Sequence, residues 1–206
     1  SGTFWKGFVV PCLAIGLIVG LIMMQTDLGT ALIISMVSFC VLYLAGTNVF
    51  YLVGSAITAT ISVFFLISRD PERLSRLTAF MDMEGNKSGD SYQVWQAILA
   101  FGAGGIDGVG SGNGRQQLKS LPEAHTDFIF AIVGEELGLI ATMAVVLVFM
   151  VLFLAGVSHI RKAPNSYQFL LSSGCLFTIS IQALVNLGVV TGSLPTTGLP
   201  LPFISY

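Results

Sequence analysis

Charged side chains are scarce in this 206-residue chain: Asp, Glu, Lys and Arg together make up 10% of it, against 54% hydrophobic residues. A soluble domain is about a quarter charged, so this composition excludes one and marks an integral membrane protein. Cysteine is rarer still. Cys12, Cys40 and Cys175 each fall in an apolar segment with no CxxC or CxxH spacing, which gives no redox pair or metal site and leaves packing as their role. No Walker or Rossmann glycine pattern is present. The chain opens on Ser1-Gly2 without a short basic region, so no removable targeting peptide is expected in it.

What the chain has instead is hydrocarbon. Five apolar segments, about 8–24, 28–46, 49–67, 129–156 and 167–191, are each near the length a spanning helix needs. Lipid offers no hydrogen-bond partners to an open backbone, so these segments are expected to be helices. The fold class expected is all-α, a polytopic membrane helix bundle forming one transmembrane domain over 1–206, with a long loop at about 68–128.

Charge sets the expected orientation. All eleven acids are either Asp27 or lie between Asp70 and Glu136, and alternating spans put both places on one side. Lys6, Arg161 and Lys162 fall on the other side with no acid beside them, which marks it as cytoplasmic because the positive-inside rule counts short loops. The 68–128 loop then faces outward from the cell membrane. Its six bases nearly balance its eight acids, so no nucleic-acid partner is expected.

A loop of this length is functional or disordered more often than a mere connection. This one carries SYQVWQAILAFGAGG, whose Val94, Trp95, Ile98 and Phe101 recur at helical spacing and suit a membrane surface. Seven glycines follow within thirteen residues, from Gly102 to Gly114. Two readings stay open for them: a backbone cradle for phosphate, or a re-entrant loop that needs tight turns.

The densest ionisable cluster is LPEAHTDFIFAIVGEELG at 121–138, with Glu123, His125, Asp127, Glu135 and Glu136 in front of the uncharged run 137–156. Ser120-Leu121-Pro122-Glu123 has the form of a capping box, so a helix is expected to start there and run into the membrane. On such a helix Asp127 lies about 40° from Glu123 and about 80° from Glu135, which gathers three carboxylates on one face. Acids at a helix N-terminus complement its dipole, which accounts for Glu123 but not for Glu135 and Glu136, placed where desolvation penalises charge. Thr26 or Asp27 is expected to cap the second helix. In the last helix Gln182 and Asn186, four apart, suit helix packing, with cavity lining as the alternative.

These stretches together, with MMQTDLGTALIISMVSFCVLYLAG at 23–46, SYQVWQAILAFGAGGIDGVGSGNGRQQL and LPTTGLPLPFISY at the end, resemble the shape, elongation, division and sporulation (SEDS) family of FtsW, RodA and SpoVE. The 121–138 stretch resembles the FtsW branch more than RodA. The resemblance implies a ten-helix protein whose fifth to ninth helices are these five, and peptidoglycan glycosyltransferase activity on lipid II outside the cytoplasmic membrane, at the division septum for the FtsW branch. Asp127 matches the family's catalytic aspartate. As general base it would deprotonate the acceptor hydroxyl, with undecaprenyl pyrophosphate as leaving group.

Glycosidases need a second carboxyl to protonate an alcohol, whereas pyrophosphate leaves as an anion and needs positive charge instead. Arg73, Arg76, Arg115 and Lys119 are the candidates for that charge, or a divalent ion such as Mg²⁺ bridged by Glu123 or Glu135. The expected substrate-contacting set is Glu123, His125, Thr126, Arg76, Arg115, Lys119 and Glu135. The implied partners are a class B penicillin-binding transpeptidase, other divisome proteins and membrane lipid. A lipid-precursor flippase or transporter is the competing class, and a non-catalytic scaffold of the cell-wall machinery a third.

Overall fold

The computed structural model describes residues 5–25, 27–69, 74, 80, 92–114 and 127–205. Every regular element among them is helical. A π-helical turn, Trp5–Val9, leads into α1 (Val10–Met24), followed by α2 (Leu28–Leu44), α3 (Val49–Arg69), α4 (Tyr92–Gly104), α5 (Ile129–Ile160) and α6 (Ser166–Val190). Gly7–Met24, Ile129–Ile160 and Ser166–Val190 are long and apolar enough to cross a membrane, while Leu28–Leu44 and Val49–Phe65 are shorter apolar helices. The chain divides into two compact units, one of residues 1–66 with 153–181 and one of 67–152 with 182–206.

In the first unit, local chemistry explains where helices begin and end. Asp27 accepts a hydrogen bond from the Thr30 amide at 3.0 Å and so caps α2. That helix closes at Gly46, whose φ of +83° lets its amide reach Tyr43 O (3.0 Å) and the next amide, of Thr47, reach Leu42 O (3.2 Å). This paired closure needs a left-handed residue, which glycine takes without a Cβ penalty. Asn48 and Asn165 cap α3 and α6 through the amides of Phe50 and Gln168. Serine and threonine hydroxyls on these helices, among them Ser35, Thr60, Ser62 and Ser158, return to carbonyls four residues back. Each helix thus meets its own polar needs, as hydrocarbon surroundings demand. Leu13, Leu17 and Leu21 leave an exposed apolar stripe along α1, a face suited to lipid or a further helix.

The second unit has a different construction. Its core is Val94, Ala97 and Ala100 of α4, Phe128 to Ile132 around the start of α5, Val185, Val189 and Val190 of α6, and Leu199 and Leu201. Beyond α6 the chain turns at Gly192, with φ +71°, and continues from Pro195 as irregular chain, its Leu199 and Leu201 buried. Pro195, Pro200 and Pro202 forbid a further helix there.

Candidate active site

The site grows from a break in a helix. Gly138 interrupts α5 with φ +74° and ψ −170°, so the carbonyls of Glu135 and Glu136 lose the amides four residues on that would normally pair with them. The glycine-rich segment supplies replacements. Val109 N donates to Glu135 O and Gly110 N to Glu136 O, each at 3.0 Å, while the displaced amide of Leu139 donates to Gly105 O at 3.0 Å.

So close a backbone approach leaves no room for side chains. A Cβ on Gly138 would strike Gly108 N and Ile106 O, and one on Gly108 would strike Glu136 O. Of the two roles open to the glycines, the tight-turn role is the one seen. The amides of residues 109 and 110 are committed to the helix break instead of facing a phosphate.

The break also fixes the acids. Glu135 is 2% exposed, and the Oε2 of Glu135 and Oε1 of Glu136 both come against Gly114, about 3.1 and 3.2 Å from where its Cβ would be. Glu136 Oε1 is buried without a hydrogen-bond partner. Among the described residues no three His, Cys, Asp or Glu groups converge to hold a metal ion. Glu123, one of the two acids expected to bridge a divalent ion, lies outside the described residues.

Asp127 stands in a turn with Phe128, just ahead of α5, and is half-buried. The buried Phe128 and Phe130 anchor the turn, and Phe128 O takes the amides of Ala131 and Ile132. Because the helix starts at Ile129, Asp127 stands ahead of it and does not share a helical face with Glu135; Glu123, the third carboxylate expected on that face, lies outside the described residues.

Two amides on α6 hold this region together. Asn186 Nδ2 donates to Asp127 O at 2.8 Å and to Leu199 O at 2.7 Å, and Gln182 Nε2 donates to Pro200 O at 3.0 Å. Gly198, with φ +69°, is drawn beside the acid: its Cβ position lies 3.7 Å from Asp127 Oδ2. Gln182 and Asn186, expected to pack helices or line a cavity, instead bind backbone carbonyls. The signal available in the sequence was the Pro-rich 195–202 stretch, which has carbonyls but no ladder to satisfy them. An apolar cavity of about 390 Å³ lies nearby in the same unit, walled by Ile98, Phe101, Phe130, Met143 and Leu187. Its Thr142 and Thr191 hydroxyls bond back to their own helices, so the walls are dry and fit hydrocarbon.

Of the residues expected at the site, Asp127 and Glu135 are described, and both belong to the second unit. Arg76, Arg115, Lys119, Glu123, His125 and Thr126 lie outside the described residues, as do Arg73 and the expected capping box at 120–123.

Residues 2–206 match the model of the FtsW/RodA/SpoVE family, described as cell cycle proteins. The chain belongs to that family. Its relatives include the probable peptidoglycan glycosyltransferases FtsW of Coxiella burnetii, 41% identical over 98% of this chain and 55% of the relative, and of Trichlorobacter lovleyi, 38% identical over 97% and 52%. Two solved structures are similar. One, from a peptidoglycan synthase complex that coordinates polymerization and crosslinking, has a TM-score of 0.78 at 25% identity, covering 97% of this chain and 55% of that one. The other is a mutant of the Thermus thermophilus rod shape determining protein RodA, with a TM-score of 0.62 at 25% identity, covering 98% and 50%. Family membership and the long apolar helices make this a multi-pass, all-helical membrane protein. The chain spans about half the length of the curated relatives it matches.

Proposed function

We propose that this chain carries the catalytic region of a peptidoglycan glycosyltransferase that polymerises lipid II, with Asp127 as general base. The observation that carries this reading is the construction around Asp127: a half-buried carboxylate at a turn, its backbone tied by Asn186 and its Oδ2 against Gly198. The names of the FtsW relatives support the reaction class.

In the proposed step the Asp127 carboxylate takes the proton of the acceptor's N-acetylglucosamine 4-hydroxyl. The freed oxygen bonds to the donor's anomeric carbon, and the bond from that carbon to undecaprenyl pyrophosphate breaks with inversion. The departing anion needs no proton, so one base is enough. Arg115 and Lys119, nearest in sequence to Asp127, are proposed to meet the charge that develops on the pyrophosphate. Replacing either by Gln in the full-length protein is expected to slow turnover about ten- to a thousandfold. The reaction side is the outer face of the cell membrane, inferred from Lys6, Arg161 and Lys162 opposite the acids. The proposed partner is a class B penicillin-binding transpeptidase, consistent with a structural neighbour from a complex coordinating polymerization and crosslinking.

Asp127→Asn in the full-length protein tests the assignment by gel assay of glycan polymer from lipid II. Asn keeps the size of Asp and one oxygen but cannot take the proton, so polymer is expected to fall by about a hundred- to ten-thousandfold while membrane insertion persists. Polymerisation near the parent rate would return the choice to a transporter or scaffold, neither of which needs a base in that turn.

A further inference from the structure

The polar group that the reaction scheme leaves unused is the most enclosed amide beside the site. Asn186 is 1% exposed, lies on α6 in an apolar stretch, and spends both Nδ2 hydrogens on backbone carbonyls, Asp127 O and Leu199 O. Those two acceptors fix which way the amide points, because the flipped amide would set an oxygen against two carbonyl oxygens. Its Oδ1 is then left buried with no partner. An unpaired buried acceptor is costly, and an apolar side chain of the same size would avoid it. What offsets the cost is what the two donors hold.

They hold two separate pieces of chain at one point. The Asp127 turn comes from 59 residues earlier and the 198–200 segment from 13 later. Joining their carbonyls through one rigid carboxamide brings Gly198 up to the Asp127 carboxylate, with the glycine's Cβ position 3.7 Å from Oδ2. A side chain at a turn is aimed by its own backbone, so fixing that carbonyl limits where the carboxylate points.

We infer that Asn186 is a positioning residue, its carboxamide clamping the Asp127 backbone to the 198–200 segment so that the carboxylate is held in the direction the reaction needs. The inference rests on Asp127 being the base. Gln182, bonded only to the exposed Pro200 carbonyl, holds the far end of the same segment and does not touch the Asp127 turn.

The test uses full-length protein and lipid II. Asn186→Leu removes both donors with little change in size, and its kcat is expected to fall about ten- to a hundredfold with KM for lipid II within about twofold, the effect of misaiming one reacting group. Asn186→Asp sets a buried carboxyl against the Asp127 and Leu199 carbonyls, where it stays neutral and offers one O–H donor in place of two N–H donors, so its kcat is expected to lie between those of the parent and Asn186→Leu.

A role in folding alone would lower the amount of active protein and leave the kcat of the folded fraction in place. Parental kcat in Asn186→Leu, or a kcat in Asn186→Asp no higher than that of Asn186→Leu at equal thermal midpoint, overturns the inference. If Asn186→Asp does not accumulate in the membrane, Asn186→Gln decides: recovery above the Leu variant at equal thermal midpoint supports the clamp, and equal rates overturn it. Asp127→Asn measured alongside separates the two readings. An active Asp127→Asn sinks the base and the clamp together, whereas an inactive one beside parental Asn186 variants sinks the clamp alone.

Discussion

The two units of this chain solve the same problem, backbone in hydrocarbon, in opposite ways. In the first, α1 to α3 and the adjoining parts of α5 and α6 satisfy themselves: caps come from residues at the helix starts, and hydroxyls return to carbonyls one turn back. In the second, a helix is broken at Gly138 and its orphaned groups are paired across about thirty residues of sequence, while Asn186 spans 59 to reach Asp127. Irregular backbone at membrane depth is tolerated only where protein covers it or a cavity needs it. The self-contained unit has the character of a scaffold, and the cross-tied unit is where a site can be held in one geometry.

That contrast can be broken most sharply at its glycines. Gly138→Ala puts a side chain at φ +74° and drives a Cβ into Gly108 N and Ile106 O, so the loop must leave the helix break. Strain and lost pairing together are expected to cost more than about 3 kcal/mol, read as a collapse of the thermal midpoint of the full-length protein in detergent. A parental midpoint would mean that the close approach is not needed. In the first unit Gly46→Ala meets the same positive φ with nothing within 4 Å of the new Cβ, so only the conformational penalty remains, about 1 kcal/mol. Equal losses at the two glycines would erase the distinction between the units.

Smaller effects sharpen the comparison. Gln182→Leu gives up one bond to an exposed carbonyl that water can satisfy, and is expected to cost about 0.5–1 kcal/mol and to slow polymerisation less than tenfold. A loss matching that of Asn186→Leu would spread the clamp over both amides. Asp27→Asn is expected to be nearly silent, within about 0.5 kcal/mol by thermal denaturation, because Asn caps a helix about as well as Asp. The same exchange at Asp127 is expected to abolish polymer, so the pair of substitutions separates a capping acid from a reacting one.

Much of this was legible in the sequence because it depends on composition and short-range chemistry. Long apolar runs dictate helices, Thr26-Asp27 ahead of Leu28 offers a cap, and the residue types around 121–138 mark a carboxylate cluster within which the family resemblance points to Asp127. The glycine-rich stretch was legible only as a need for unusual backbone, since seven glycines fit a phosphate cradle or tight turns equally well. Gln182 and Asn186 were legible as a polar pair on one helix face but not as ligands of carbonyls, because their acceptors lie 13 to 59 residues away.

By itself the sequence determined the membrane class and the helical fold, both set by which side chains water and lipid accept, while the carboxylate on which chemistry is proposed came from the family resemblance. Only the tertiary structure decided that α5 begins after Asp127, that it breaks at Gly138 onto the 105–110 backbone, and that one buried amide joins Asp127 to the 198–200 segment. The reason is physical. Burial and helix propensity act on residues close along the chain, whereas the pairing of an orphaned backbone group is settled by whichever distant segment packing brings within hydrogen-bond reach.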